Sequence, residues 1–445
     1  MKKRMVSGKN ISRKMISNMA AGLLAALFVF SGACMAYAGP EQTVPVAAYQ
    51  YGASFHPPAA ARYGDLGSQR AIGQNNTMSD EFRRGLQSFS CRTASALLKD
   101  SSENRVYSPA SLYYSLALAA QSAGGSTGNQ LYGLLTVPGQ NTDQMASECG
   151  SLFRLMYRDN EVSHIKVANS MWLREGAPLA DAFRRLVEQQ YYSDILRINF
   201  ADPGCAGAMN HWCAGRTGQG LTVLPTVSPD ESMRLTGAVQ YSNEWVFNFD
   251  RTKNENRSFY KADGQTVTCE YMTDLRSTSW YRGQGFLKAA ISLKENSSIT
   301  FILPDEGVTP QSLLASEERM NEMFGYVSES YGPVSWSIPK FHCNASLDLR
   351  PMLEGLGVAD AFYPDRADFT GLTGEAFHIS NISQDLRISI DENGVNANTY
   401  SVIEPIGSSI SEPAAEMNLN RPFIYAVQGA PGIIMYIGIC ANPAA

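Results

Sequence analysis

The chain has 445 residues, 44% of them hydrophobic and 18% charged, with a formal net charge of −6. That is ample chain to bury a core, and length alone would divide it into two or three domains. The acidic balance argues against a nucleic-acid partner, which needs a basic face.

Lys2, Lys3, Arg4, Lys9, Arg13 and Lys14 precede an apolar run from Ala20 to Phe30, followed by small residues ending in Ala36-Tyr37-Ala38-Gly39. This order predicts a secretory signal peptide over residues 1–38 and a secreted or periplasmic protein. The run is shorter than the roughly 20 residues a membrane span needs. No later segment is long and apolar enough, so no membrane span is expected. Ser31-Gly32-Ala33-Cys34 offers a competing lipoprotein cleavage, but Ser31 stands where such sites carry a large aliphatic residue. Removing the leader takes away six basic and no acidic side chains, which carries the net charge from −6 to −12.

Residues 39–77 are rich in Pro, Ala, Gly, Gln and Asn without a period, and read as a flexible extension outside the fold. From Met78 the pattern changes. Phe82, Leu86, Phe89, Thr93, Ala96 and Leu97 share one face of a predicted helix ending near Asp100. A second helix opens at Ser108-Pro109, a cap followed by proline at the first helical position, and carries Leu112, Leu116, Ala119 and Ala120 toward a core. Gly124 to Gly128 reads as a linker between helices. Leu235 to Tyr241, Ala289 to Ser292 and Ile299 to Leu303 read as strands, and Phe423 to Val427 with Ile433 to Ile439 as a buried hairpin turning at Gln428 to Gly432. Irregular alternation of helices and strands predicts an α+β protein with large antiparallel sheets.

Catalytic motifs are missing: there is no Gly-x-Ser-x-Gly elbow, no His-Glu-x-x-His, and no glycine-rich loop with a phosphate-binding lysine. His211 near Cys213 and His342 beside Cys343 supply two ligands each, where a zinc site needs three or four. No metal and no cofactor is expected. Cys91, Cys149, Cys205, Cys213, Cys269, Cys343 and Cys440 are an odd, scattered set, which reads as buried free thiols and not as a disulfide framework.

An ordered series of segments from Met78 to Pro443 resembles the serpins. Asn104 to Leu112 is similar to the start of their second helix, Ala168-Asn169-Ser170-Met171-Trp172 to the strand that follows, and Asn210-His211-Trp212 with Thr217 and Leu221 to the next helix and its cap. Gly237 to Trp245 resembles the strand whose tryptophan packs at the top of the main sheet, with Gly237 where the family usually has asparagine. Ile338-Pro339-Lys340-Phe341, Leu356-Gly357-Val358, Ala367-Asp368-Phe369-Thr370-Gly371, Asn420-Arg421-Pro422-Phe423 and Met435-Tyr436-Ile437-Gly438 complete it. The resemblance implies one serpin domain over residues 78–445, with three β-sheets, about eight or nine helices and an exposed reactive-centre loop at about 392–416.

It also implies a function. A bacterial secreted serpin would be a monomeric protease inhibitor and not an enzyme: a serine or cysteine protease attacks the loop, and insertion of the cleaved loop into the main sheet traps the acyl-enzyme. The hinge would comprise Glu392, Gly394, Val395, Ala397 and Thr399, and the reactive bond would be Ser408-Ser409, within a window from Ile403 to Ser411. A small residue there suits an elastase-like or subtilisin-like target. Ser108, Ser111, Asn210, Trp245 and Gln384 match the shutter and breach positions that hold the sheet closed, with Gln384 where the family usually has histidine.

Insertion demands that alternate residues be buriable. Val395, Ala397, Thr399, Ser401, Ile403 and Pro405 form one uncharged set, while Asn396, Asn398, Tyr400, Val402 and Glu404 form the solvent-facing set. The alternative is a non-inhibitory serpin acting as a binding or structural protein, with a loop that is cleaved without rapid insertion.

Overall fold

The computed structural model describes residues 45–135, 142–325, 327–397, 412–429 and 432–445. Residues Pro45–Ala445 form one compact unit. Its main sheet contains strands β1 (Tyr49–Ala53), β2 (Ser163–Arg174), β3 (Asp194–Ile198), β4 (Met233–Glu244), β5 (Phe341–Asp348), β6 (Ile379–Asp391) and β7 (Gly394–Val395). Their spatial order is β1-β3-β2-β4-β7-β6-β5, and the short strand Arg158–Asp159 pairs with β2.

A nine-stranded network forms the rest. The predicted strands Ile299 to Leu303 and Ala289 to Ser292 lie within its strands Ser297–Pro304 and Phe286–Leu293, and the predicted hairpin is Phe423–Gly429 with Ile433–Cys440. Two of the three expected sheets are thus joined. The 18-residue strand Thr266–Gly283 is the link: it pairs with Ser330–Pro339 along Tyr271 to Trp280 and with Phe286–Leu293 through Trp280 to Gly283. The described residues carry eleven α-helices, more than the eight or nine expected; two are single turns of four residues.

Local chemistry places the helices well. Helix α1 spans Leu66–Asn75, and α2 spans Asp80–Leu98. The Ser79 hydroxyl accepts from the Phe82 amide at 3.1 Å to cap α2, whose buried side chains include Phe82, Leu86, Phe89 and Thr93. Helix α3 (Pro109–Ala120) starts at the predicted Ser108 cap, and all twelve of its residues are buried. A helix apolar nearly all round belongs inside. Gly124 to Gly128 is not a linker, because helix α4 (Gly125–Leu135) begins within it. The Gly124 amide donates to the Asp368 carbonyl, which lets the chain turn directly from one helix into the next.

The expectation of a flexible extension up to Thr77 is corrected from Pro45 onward. β1 pairs antiparallel with β3, Tyr49 opposite Ile198 and Tyr51 opposite Leu196. The Tyr49 ring meets Trp172 edge-on at 5.5 Å, and Ala47 is buried. The strand carries no regular apolar alternation, and only its pairing with the edge of β3 reveals it. The seven described cysteines are free thiols, all buried except the half-buried Cys269.

Asp194 joins this segment to the body. Its carboxylate is 1% exposed and accepts from the Phe55 amide at 2.7 Å, the Trp212 indole at 2.8 Å, and both Nε and Nη2 of Arg216 at 2.7 Å. Arg216→Ala therefore leaves a buried, partly unpaired charge and is expected to cost roughly 3–5 kcal/mol. Urea unfolding measures this; a loss below about 1 kcal/mol would mean that the carboxylate is satisfied without the guanidinium.

Candidate functional site

β4 and β6 run parallel as neighbours only from Met233 to Ala238 and Ile379 to Asp385. Above that point they part. β7 enters the opening and pairs antiparallel with both, Val395 with Ile390 and Asn243, and Gly394 with Asp391 and Glu244. Below β7 lies a cavity of about 80 Å³ lined by residues that include Val239 to Ser242, Asp385, Arg387 and Asn396. The main sheet is therefore split at one end, with the start of a further strand already in the split.

The hinge residues are shaped for this position. Gly394 has φ +153°, and a Cβ there would lie 2.1 Å from the Asn243 carbonyl oxygen, so only glycine fits. Val395 is fully buried, in the same core as α3, and Ala397 is 7% exposed. Of the uncharged set identified in the sequence, Val395 packs into that core, whereas Ala397 follows the left-handed Asn396. Thr399, the reactive bond Ser408-Ser409, and the whole window from Ile403 to Ser411 lie outside the described residues. Farther along the chain, strand Ala415–Asn418 pairs parallel with Ser330–Pro339.

Around the hinge a set of bonds fixes the end of the split. Trp245 is fully buried; its indole donates to the Asp391 carbonyl at 2.8 Å and its amide to the Asn393 carbonyl at 3.0 Å. Glu392 receives Lys340 at 3.0 Å and the Asn254 amide. Burial opposes its charge, but hydrogen bonds from its own backbone, Lys340 and Asn254 outweigh this and hold the carboxyl below its usual range. Asp391 is displaced upward, chiefly by burial, while its Oδ1 accepts from the Asn393 and Gly394 amides.

The shutter lies where the parallel seam is still closed. Gln384 of β6 donates to the Ser108 carbonyl at 2.8 Å and accepts from the Ser108 amide at 3.3 Å. Ser111, one turn along α3, donates to Asn169 of β2 at 2.9 Å. α3 thus ties β6 to β2 beneath the intervening β4, with Ser108, Ser111, Gln384 and Asn169 all buried. Glutamine here supplies both a donor and an acceptor without a titrating group. Gly237 of β4 makes room: a Cβ would sit 2.5 Å from the Ser111 hydroxyl and 3.1 Å from Asn169 Oδ1.

Asn210 does not join this cluster. It lies on helix Cys205–Thr217, which packs on the opposite face of the sheet against Trp172 and Ala238, and its Oδ1 accepts from the Leu221 amide at 2.7 Å. It shapes the segment after that helix, which crosses to β6. There the Thr222 amide and hydroxyl both donate to Asp385 at 2.7 Å, and Arg387 donates to the Gly220 carbonyl at 2.9 Å. Burial pushes the Asp385 carboxyl up.

The sequence places Asn169 within a matched strand without assigning it a role, and gives no role to Asp385 or Thr222. Asn169 was detectable, since it shares one strand face with the buried Val167 and Met171. The Thr222–Asp385 contact joins residues 163 positions apart, and no local signal carries it.

The family model described as Serpin (serine protease inhibitor) matches residues 84–443. An uncharacterized serpin-like protein of Methanosarcina acetivorans is 24% identical over 365 residues, covering 77% of this chain and 82% of its own. Among solved structures, the thermophilic serpin tengpin in its native state aligns with TM-score 0.75 at 22% identity, over 87% of this chain and 97% of its own. Serpin48 of the insect Tenebrio molitor aligns with TM-score 0.73 at 23% identity, over 82% of this chain and 99% of its own. The chain belongs to the serpin family, whose members are typically protease inhibitors and not enzymes.

Gly237→Ala should disrupt the shutter, because Ser111 must surrender its bond to Asn169 to admit a methyl group. The expected loss in the intact protein is about 1–3 kcal/mol. An unchanged unfolding midpoint would contradict the geometry assigned to this cluster.

Proposed function

We propose that this serpin is a secreted suicide-substrate inhibitor of a serine or cysteine protease with a small primary pocket. The observation that carries this reading is the split between β4 and β6, entered by the buried Val395 and continuous with a cavity along the path an inserting strand would take. The protease nucleophile would attack the carbonyl carbon of Ser408, breaking the Ser408-Ser409 peptide bond and forming an acyl-enzyme. The freed segment then enters the seam as an antiparallel strand, with Val395, Ala397, Thr399, Ser401, Ile403 and Pro405 on the covered face. The attached protease is carried along and distorted before water can release it. The leader at residues 1–38 supports export to the periplasm or medium.

The test is incubation with an elastase-like and a subtilisin-like protease. A complex resistant to SDS is expected, with mass spectrometry locating the cut within Ile403 to Ser411, and the nicked protein should melt well above the intact one. Cleavage with no complex and no gain in stability would instead favour a binding role. Val395→Arg places a charge on the covered face, where burial without a partner is strongly unfavourable. This variant should be cut as a substrate, with at least a tenfold fall in complex yield. Retained trapping would overturn the insertion path.

A further inference from the structure

We propose that Asn396 is a latch, a positioning residue whose side-chain amide spans the split in the main sheet and holds the loop after two inserted residues. The inference rests on the insertion reading above, and adds the element that restrains it. Asn396 follows β7 directly and has φ +50°, a left-handed conformation that asparagine tolerates better than most residues. Strand β7 ends at the preceding residue, and the Asn396 side chain lies in the split.

Its contacts reach both lips of the split. Toward β6, the backbone amide donates to the Ser389 carbonyl at 2.8 Å, and Oδ1 accepts from the Ser389 amide at 2.5 Å and the Ser389 hydroxyl at 2.9 Å. Nδ2 donates to the Tyr241 carbonyl of β4 at 2.7 Å and to the Arg387 carbonyl of β6 at 3.3 Å. Across the same split, the Ser242 hydroxyl donates to the Asn396 carbonyl at 2.9 Å. One residue therefore satisfies backbone groups on two strands that have separated, and these are groups a middle strand would bond with its own backbone.

The latch must open for insertion to continue. An inserted Asn396 becomes extended and its side chain moves to the face opposite Val395, so the amide loses all of these partners. Its side-chain bonds exist only in the intact, partly inserted form. They stabilise that form alone and raise the barrier to further entry.

The experiment compares Asn396→Gly and Asn396→Asp with the unsubstituted protein, each intact and loop-cleaved. Glycine keeps the left-handed backbone and removes the amide; aspartate keeps the shape but sets a carboxylate against two carbonyl oxygens. Both variants should melt lower than the unsubstituted protein when intact, the aspartate more so, and at the same temperature when cleaved. Incubated uncleaved at moderate temperature, they should convert to the heat-stable, protease-resistant form about five- to tenfold faster, as loss of one or two net hydrogen bonds implies. If the aspartate variant does not fold, the glycine variant decides. Equal shifts in the intact and cleaved forms, or an unchanged conversion rate, overturn the latch. The unsubstituted protein separates the two claims: if cleavage leaves its melting temperature unchanged, the insertion reading falls and takes the latch with it, whereas a rise without the variant asymmetry overturns the latch alone.

Discussion

Everything about this molecule turns on the parallel seam between β4 and β6, which runs along only half of the strands that could share it. Parallel pairing is slightly weaker per residue than antiparallel pairing, and a strand placed between these two would be antiparallel to both. β7 already has that orientation over two residues. Replacing one parallel seam with two antiparallel seams is downhill in hydrogen bonding, and the uncharged side chains of the loop add buried area. On the proposed mechanism, the fold thus holds a better arrangement of its own main sheet in reserve.

What keeps the seam closed is a distributed set of polar contacts, none of them large alone. Gln384 and Asn169 are held by the first turn of α3 under the sheet, and Thr222 grips Asp385 on the other face. At the split end, Trp245 and Lys340 fix the hinge turn. These groups are buried or half-buried, where an unsatisfied partner is expensive, so the sheet opens only if replacements are at hand. An incoming strand brings replacements for the backbone groups but not for the side chains. Side-chain contacts can thus regulate the rate without removing the driving force.

The departures from the family pattern have physical compensations. Glutamine in place of the usual histidine at residue 384 preserves two-point bonding to Ser108 and removes the group that would titrate near neutrality. Glycine at 237 leaves the space into which Ser111 and Asn169 close. Val395 is aliphatic at a fully buried position, so it needs no hydrogen-bond partner there.

The start of α2, the cap of α3 and the strands of the carboxy-terminal hairpin were legible from the sequence, because each depends on neighbours within a few residues or on period-2 and helical spacing, whereas the order of segments and the hinge came from the resemblance to serpins. The tertiary structure alone decided that residues 49–53 are a strand, that Asn210 stands apart from Ser108 and Gln384, and that two of the expected sheets are one network. It also decided that Asn396, assigned by alternation to the solvent face, turns its amide into the split. Alternation assumes a strand that continues, and the left-handed turn at this residue ends it. Pairing across a sheet joins residues whose separation leaves no periodic trace, so those contacts become visible only when the strands lie side by side.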